Sequence, residues 1–579
     1  MKSFFKKSPA RGLLLTLLAI ATGMTLSFLL PATQKQSDFQ HFLSHQFIDE
    51  VTSNTLNLHY TLKNPSALGI KSYDVRLFDR ADTDPLESAS RCRELRSQLQ
   101  DYSYRSLSSD EKLVYDIFWD YLNRQIRLLD FALYEELLTP SGGVSSQLPI
   151  LFAEYPLNTK QDVEDYLALL SQMDAYFASI LDYEKERADA GLFMSDHCCE
   201  KVISGCEVFL RHPTDNFLFT TFEDRLNRLA GLSASAREKY MTEHAKIMAE
   251  HVIPAYENLS LGLNNLMGKG RNDWGLCYYR DGSAYYSALV AAYTGCDETV
   301  EELANEIDEM RKSDLAQCTA ILAETPELTA QAESVEISFD SPEAMLMHLQ
   351  TAMLKDFPEA PDAKWQIFYV DPCLKDYLAP AFYITAPIDA YHNHCIYIND
   401  AKDYDSLHLF TTLAHEGFPG HLYQTMLSYD YGMNPLHTLL NYPGYTEGWA
   451  TYVEMLSYHY LGLDENMADL LQHNQSVILS LYATSDIGIH YLGWKTEEME
   501  AFWKNYGITD SNTIEAITNL ILEEPGNYLK YYVGYMKFCQ IRKRCEEKQK
   551  EHFDPVAFHK QILEIGPVPF ALLEKKLCD

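Results

Sequence analysis

The chain has 579 residues and a formal net charge of −36 at pH 7, from 83 Asp and Glu against 47 Lys and Arg. So acidic a chain repels nucleic acid and anionic membrane surfaces, and beyond its first 11 residues no Lys/Arg-rich stretch interrupts it, so we exclude nucleic acid as a partner. Its length allows a large core, in one big domain or in as many as about four.

The first 33 residues have the pattern of an export segment. The basic stretch MKSFFKKSPAR precedes an uncharged run, GLLLTLLAIATGMTLSFLL, at 12–30. A basic region before an apolar one directs export, and this run is long enough to span a bilayer. We therefore expect an exported protein, extracellular or at the cell surface, with residues 1–33 as a signal or membrane anchor. The rest of the chain, 34–579, is expected to be a single domain that meets the membrane through this segment alone.

Helical periodicity dominates the predicted elements. Apolar residues at three- and four-residue steps predict helices from about 38 onward, and Thr159 and Gly191 read as the start and stop of one helical stretch. A loop rich in Gly, Ser and Pro is predicted at 139–149. Aromatic and β-branched runs (WQIFYV, AFYIT, CIYIN) predict short strands between about 364 and 400. The predicted helical stretches before the strands are 38–135, 159–191, 234–267 and 297–324. The fold class expected is mainly α, with a small β-sheet bordering a deep active-site cleft.

Twelve cysteines lie beyond the leader, in a compartment that permits disulfides. No C-x-x-C pair occurs, so a cysteine zinc site is not expected. The sequence does not assign disulfide partners. The cysteines considered for pairing are Cys198, Cys199, Cys206, Cys539 and Cys545.

The stretch TTLAHEGFPGHLYQ contains a His-Glu pair and, six positions on, a second histidine. Residues six apart on a regular helix lie on different faces and about 9 Å apart along the axis, so His415 and His421 could not share an ion there. Pro419 cannot donate a backbone N–H to the carbonyl of His415, and Gly420 accepts unusual dihedral angles. The Pro-Gly pair therefore predicts an interrupted helix that turns His421 back toward His415.

A catalytic zinc ion takes three protein ligands and leaves one position for water. The third ligand predicted is Glu447, in the first turn of a helix in YPGYTEGWATYVEML; the alternative is that its charge only favours the helix N-terminus. Glu416, beside the first histidine, is the predicted general base. Glu454 lies on the same helix face as Glu447 and suits support of the site or substrate binding. Tetrahedral geometry predicts ligand atoms about 3–4 Å apart.

HEGFPGHLYQ followed by EGWATYVE resembles the bacterial domain-of-unknown-function 885 family, whose members carry H-E-x-x-P-G-H and then E-G-W-A. The resemblance continues in GLCYYRDGSAYYSALV, FYITAP, IYIND, SDIGIHYLGW, EEPGNYLKYYVGY and FHKQILEIGPVP, and so covers nearly all the chain after the leader. It implies a helical metallopeptidase of the HExxH superfamily that hydrolyses peptide bonds.

On this sequence the resemblance implies His415, His421 and Glu447 as the metal ligands, with Glu416 as the catalytic base. The chain departs from many relatives at Leu422, where they have a further histidine. It departs again at Tyr482, where they often have an arginine suited to a substrate carboxylate. Recognition of a peptide terminus is therefore not implied here.

Hydrolysis through a tetrahedral intermediate needs hydrogen-bond donors for the developing oxyanion. His490, in DIGIH, and Tyr531, in PGNYLKYY, are the candidates, and both match family motifs. Asp486 lies four residues before His490 and could orient it on a helix. The alternative for Tyr531 is a core tyrosine, since the chain has 39 tyrosines.

The run YHNHCIYIN contains His392, His394 and Cys395, and in a strand His392 and His394 share one face, which could make a separate metal site. No carboxylate accompanies that face. The favoured interpretation is a strand that borders the cleft and offers backbone hydrogen bonds to an extended peptide. His394 and Asn399 are then expected beside the substrate.

The function expected is an exported metallopeptidase with Zn²⁺ as cofactor and short peptides as substrates. Two alternatives stay open: a catalytically silent relative that binds peptides, and a hydrolase of another amide, such as a cell-wall peptide or an acylated amino acid. The intact Glu416 favours catalysis, because a binding protein needs no general base. The mode of cleavage and the oligomeric state are not predicted.

Overall fold

The computed structural model of the chain describes residues 37–77, 85–214, 216–332, 334–362, 364–370, 375, 380–400, 405–440 and 442–578. The predicted leader, residues 1–33, lies outside these ranges. Among the helices that the structure describes, none combines the length and apolar character needed to cross a bilayer.

The described residues up to 362 are mainly helical, as predicted. Thr159 caps its helix through a reciprocal hydrogen-bonding arrangement with Asp162, and Gly191 ends the following helix with a positive φ of 75°. The helices are α1 Asp38–Val51, α2 Thr55–Thr61, α3 Pro85–Gln100, α4 Ser109–Leu129, α5 Val144–Ala153, α6 Lys160–Leu170, α7 Met173–Ala190, α8 Asp196–Phe209, α9 Phe217–Arg228, α10 Ala234–Ile247, α11 Ile253–Leu266, α12 Gly282–Thr294, α13 Val300–Glu324, α14 Leu328–Ala332 and α15 Pro342–Ala352.

The prediction of a loop throughout 139–149 is wrong at its end, because α5 begins at Val144. Pro149 lies inside this helix and has no N–H for the carbonyl of Ser145, four residues earlier. That carbonyl accepts a hydrogen bond of 2.8 Å from the Tyr256 hydroxyl instead. A partner from a distant helix thus satisfies the group that the proline leaves open.

Three short strands follow where the sequence predicts them: β1 Lys364–Tyr369, β2 Ala381–Ile384 and β3 Asn393–Ile398. Their order in the sheet is β1-β3-β2, with β3 parallel to β1 and antiparallel to β2. The faces of the sheet pack against different cores, since Tyr383 and Ile396 belong to one and Phe382 to the other. The sheet therefore separates the two largest hydrophobic cores of the described chain.

Helices complete the chain and carry the residues of interest. They are α16 Ser406–Glu416, α17 His421–Asp430, α18 Pro435–Leu439, α19 Pro443–Leu456, α20 Glu465–Ile487, α21 Thr496–Lys504, α22 Ser511–Glu523, α23 Asn527–Gln549, α24 Pro555–Ile565 and α25 Phe570–Cys578. The mainly α class with a small sheet is confirmed. The single domain of 34–579 and the deep cleft stay predictions.

Candidate metal centre

The helix that carries His415 stops before His421, as the Pro-Gly pair predicts. α16 ends at Glu416 and α17 begins at His421, and between them Gly417 has φ −110° and ψ −101°, outside the helical region. The N–H of Gly417 still closes the last turn of α16, at 2.8 Å from the Leu413 carbonyl. The backbone then changes direction before α17 starts.

Two contacts hold this break in place. A Cβ on Gly420 would lie 1.8 Å from the His415 carbonyl oxygen, so the backbone reaches this position only because the residue is glycine. From α19, the indole Nε1–H of Trp449 donates to the carbonyl oxygen of Pro419 over 3.0 Å. The EGWA motif therefore contributes a buried tryptophan that fixes the turn, as well as the glutamate.

Glu447 reaches the site because α19 and α23 pack with almost no space between their backbones. A Cβ on Gly448 would lie 2.4 Å from the Gly534 Cα, and one on Gly534 would lie 2.0 Å from the Gly444 carbonyl oxygen. This glycine contact sets the depth at which α19 enters the core. Glu447 then points toward the break between α16 and α17.

The ligand atoms of His415, His421 and Glu447 all lie within 4.8 Å of one another. Glu447 Oε2 is 3.6 Å from the Nε2 atom of each histidine, within the separation expected for a tetrahedral site. The imidazole rings are nearly perpendicular, with centroids 4.9 Å apart. Among the described residues, these are the one group of three His, Cys, Asp or Glu side chains close enough to share an ion.

Charge is concentrated at this cluster. Burial opposes the charged form of His415, but the neighbouring carboxylates of Glu447 and Glu454 outweigh it and raise the pKa of His415 to about 10. Burial likewise opposes ionisation of Glu447, yet contact with the two histidines holds the pKa of this carboxyl well below its usual range. The cluster therefore holds a proton that a metal cation would displace.

The donor set fits a zinc ion. His415 Nε2 and Glu447 Oε2, which lie 3.6 Å apart, are buried and have no hydrogen-bond partner within the part of the chain that the structure describes. Such orphaned buried atoms are costly unless a ligand satisfies them. Two imidazoles and one carboxylate are a ligand set used by catalytic zinc sites.

Glu416 is fixed beside the cluster by the sheet. Its Oε2 accepts a 3.0 Å hydrogen bond from the backbone N–H of Tyr383 in β2. The sheet therefore borders the site, as expected, through an outer strand. Sequence reasoning missed this partner, because a backbone group leaves no side-chain signal.

Glu454 supports a histidine of the cluster. The Nδ1–H of His415 donates to Glu454 Oε2 over 2.9 Å. This contact fixes which ring nitrogen faces Glu447, as carboxylates behind metal-bound histidines do. Two roles were expected for Glu454. Its hydrogen bond with His415 agrees with support of the site, and substrate binding stays a prediction.

Tyr531 lies at the site on α23, with its ring 6.4 Å from that of His415. Burial, followed by the charges of Glu447 and Glu416, raises its pKa well above the usual value, so the phenol stays protonated and able to donate. Lys530 is buried beside it, with Nζ 5.2 Å from the Tyr531 ring centre, and its charge lowers the pKa of Glu447. This lysine, a single cation within the aromatic run NYLKYYVGY, is a signal that sequence reasoning passed over.

His490 does not have the donor capacity predicted for it. Its Nδ1 accepts the N–H of Leu276 at 3.2 Å, so its proton lies on Nε2, which donates to the Ile521 carbonyl at 2.9 Å. No N–H is left for an oxyanion. Asp486, predicted to orient it, accepts from the Tyr286 hydroxyl and the Gly526 N–H. The helical setting of Asp486 and His490 is confirmed. The His490 side chain, however, connects the backbone at Leu276 with the backbone of α22 at Ile521.

The predicted role of β3 needs a correction. β3 is the central strand, so both its edges are occupied by neighbouring strands and it cannot offer backbone hydrogen bonds to a peptide. His394 is buried, 2.7 Å from the Tyr383 hydroxyl, and desolvation lowers its pKa to about 4. Asn399 is buried and donates to the Lys375 carbonyl at 2.7 Å. His394 therefore joins β3 to β2 and Asn399 joins the end of β3 to the preceding loop, while His392 lies outside the strand and is exposed.

Comparison with known proteins agrees with this architecture. The family described as "Bacterial protein of unknown function (DUF885)" matches residues 64–577. A solved structure described as a "putative lipoprotein from Colwellia psychrerythraea" has a TM-score of 0.80 at 17% identity and covers 93% of this chain and 98% of its own. Another, a "putative lipoprotein of unknown function from Shewanella oneidensis", has a TM-score of 0.62 at 16% identity over 94% and 100%. No curated protein matches the chain. At these identities the likeness is one of fold.

Proposed function

This chain belongs to the bacterial DUF885 family, and we propose that it is a zinc-dependent hydrolase of peptide bonds. The observation that carries the proposal is the convergence of His415, His421 and Glu447, with ligand atoms within 4.8 Å, across an interrupted helix. An interruption that only terminated a helix would not need to bring two histidines and a carboxylate together.

His415, His421 and Glu447 would hold the metal, and Glu454 would keep His415 in the orientation that presents Nε2. When bound, a zinc ion supplies Lewis acidity, which polarises a carbonyl group and makes water a better nucleophile at neutral pH. Side chains of the protein carry out the proton transfer and stabilise the developing oxyanion.

Glu416 is the general base in this proposal. Its Oε2 is fixed by the Tyr383 N–H, so Oε1 is the oxygen that takes the proton from the attacking water and passes it to the leaving amine. Tyr531 is the donor toward the developing oxyanion, since its phenol stays protonated at neutral pH. A base and a hydrogen-bond donor beside the His415, His421 and Glu447 cluster suit amide hydrolysis.

We also propose a location in the cell envelope. The leader pattern of residues 1–33 supports export, and two solved structures with the same fold are described as lipoproteins. Peptides are the substrate class proposed, because the resemblance and the base-plus-metal arrangement point the same way.

A digest of a peptide library tests the proposal. The zinc-loaded wild type should cleave, whereas Glu416→Gln should keep its zinc and lose activity about 10²–10⁴-fold, because an amide cannot accept the proton. Glu465→Gln, an exposed change on α20, is the matched control and should cleave as the wild type does. Equal cleavage by Glu416→Gln would contradict the assignment of the base. Zinc-loaded wild type that binds peptides without cleaving them would favour the silent relative.

A further inference from the structure

Two cysteine sulfurs meet between the last helix and the helix that carries Tyr531. Cys545 lies on α23 and Cys578 ends α25, and their Sγ atoms are 2.8 Å apart. Among the described residues this is the one sulfur–sulfur contact, and no other cysteine sulfur lies against either atom. We propose that Cys545 and Cys578 form a disulfide that ties α25 to α23 in the exported protein.

The surrounding contacts hold the two thiols in register. Lys548 donates through Nζ to the carbonyl oxygen of Cys578, and Arg544 pairs with Glu574 one turn earlier on α25. Leu573 is fully buried between the helices and the core. A disulfide bond is about 2.05 Å long, so the sulfurs need to approach by only about 0.8 Å.

The exposure of the two cysteines sets the order of the chemistry. Cys578 is half-buried in the last turn of the chain, while Cys545 is buried, and its burial and its contact with Cys578 raise the pKa of Cys545 to about 12. Cys578 is therefore the thiol that meets an external oxidant first. The buried Cys545 thiol reacts second, with the Cys578 sulfur.

The oxidant is a small-molecule or protein disulfide. The Cys578 thiolate attacks one sulfur of this disulfide, forms a mixed disulfide and releases one thiol. The Cys545 sulfur then attacks the Cys578 sulfur and expels the second thiol. Two S–H bonds are lost and one S–S bond forms, and the oxidant takes up the two electrons and two protons.

The tether has a structural consequence for the proposed active site. α23 contributes Tyr531 and packs through Gly534 onto α19, which carries Glu447. A covalent link at Cys578 fixes the C-terminal helix against α23 whether or not the protein hydrolyses peptides, so the inference stands apart from the proposed function.

Peptide mapping of the full chain tests the inference directly. The folded protein is equilibrated with oxidised glutathione, its free thiols are alkylated after denaturation, and it is digested with trypsin. We expect residues 545–548 joined to 577–579, two hydrogen atoms lighter than the separate peptides. Alkylated Cys545 and Cys578 in the natively folded wild type would overturn the inference, and so would a link from either one to a different cysteine.

Amide hydrogen exchange of the wild type, with and without reductant, tests the tether without depending on a variant. Reduction should speed amide hydrogen exchange in α25 by at least about tenfold, because the untethered helix opens more often. Cys578→Ser should exchange at the fast rate with or without reductant. Cys539→Ser, six residues before Cys545 on the same helix, is the matched control and should keep both the link and the slow exchange. Exchange in α25 of the wild type that does not respond to reductant would contradict the tether.

Discussion

Replacing Gly420 by alanine asks whether the close approach at the helix break positions His421. The new Cβ would lie 1.8 Å from the His415 carbonyl oxygen and 2.4 Å from that of Ala414, where real Cβ atoms stay beyond 3.0 Å. The backbone must therefore move by at least about 1.2 Å, more than the roughly 0.5 Å within which a site residue must be held. We expect about 1–3 kcal/mol of destabilisation and zinc affinity lowered at least about tenfold.

Chelator competition and urea denaturation of the metal-free protein measure the two effects of Gly420→Ala. Gly205→Ala is the control, because a Cβ there meets no heavy atom within 4 Å on the exposed face of α8. It should bind zinc as the wild type does and be more stable by roughly 0.5–1 kcal/mol. Zinc affinity and stability of Gly420→Ala equal to those of the wild type would refute the argument that this glycine positions His421.

Three other predictions concern the support, protonation and donor groups of the site. Glu454→Gln should lower zinc affinity about 10–100-fold by removing the carboxylate that holds His415, and unchanged affinity in chelator competition would contradict this. The folded-state pKa of His415, about 10, lies above its ordinary value of 6.5, so its stabilising charge is fully present below pH 6.5 and lost as pH rises toward 10. Thermal melts of the metal-free protein should fall across that window while zinc affinity rises by about tenfold per pH unit, and pH-independent affinity would refute the displaced proton. Tyr531→Phe should retain zinc and lose about 10²-fold in kcat on a cleaved peptide, whereas a wild-type rate would remove Tyr531 from catalysis.

The cluster of His415, His421 and Glu447 could be predicted because its signal is local. The Pro-Gly pair in HEGFPGH predicts the break in the helix. The helix start at Pro443 places Glu447 one turn into α19. The strands at 364–400 could be predicted for the same reason, since aromatic and β-branched runs are read within a few residues. These features depend on neighbours in the sequence.

The order of the strands and the partners of single side chains could not be predicted in this way. β3 follows β2 in the chain but lies at the centre of the sheet, so a residue pattern alone could not tell its edges from those of β2. His490 fits a family motif, yet its hydrogen bonds go to Leu276 and Ile521, whose backbone groups are brought together only by tertiary packing. Pro149 reads as a loop residue until Tyr256 supplies the missing hydrogen bond to Ser145.

The zinc content of the purified chain tests the central claim most directly. We expect one zinc ion for each wild-type chain and none in His421→Ala, because this variant leaves only two of the three ligands. Circular dichroism on both proteins would establish that they are folded. A folded wild type that takes up no zinc, or a folded His421→Ala that binds it as tightly as the wild type, would contradict the claim that the interrupted helix builds a metal site.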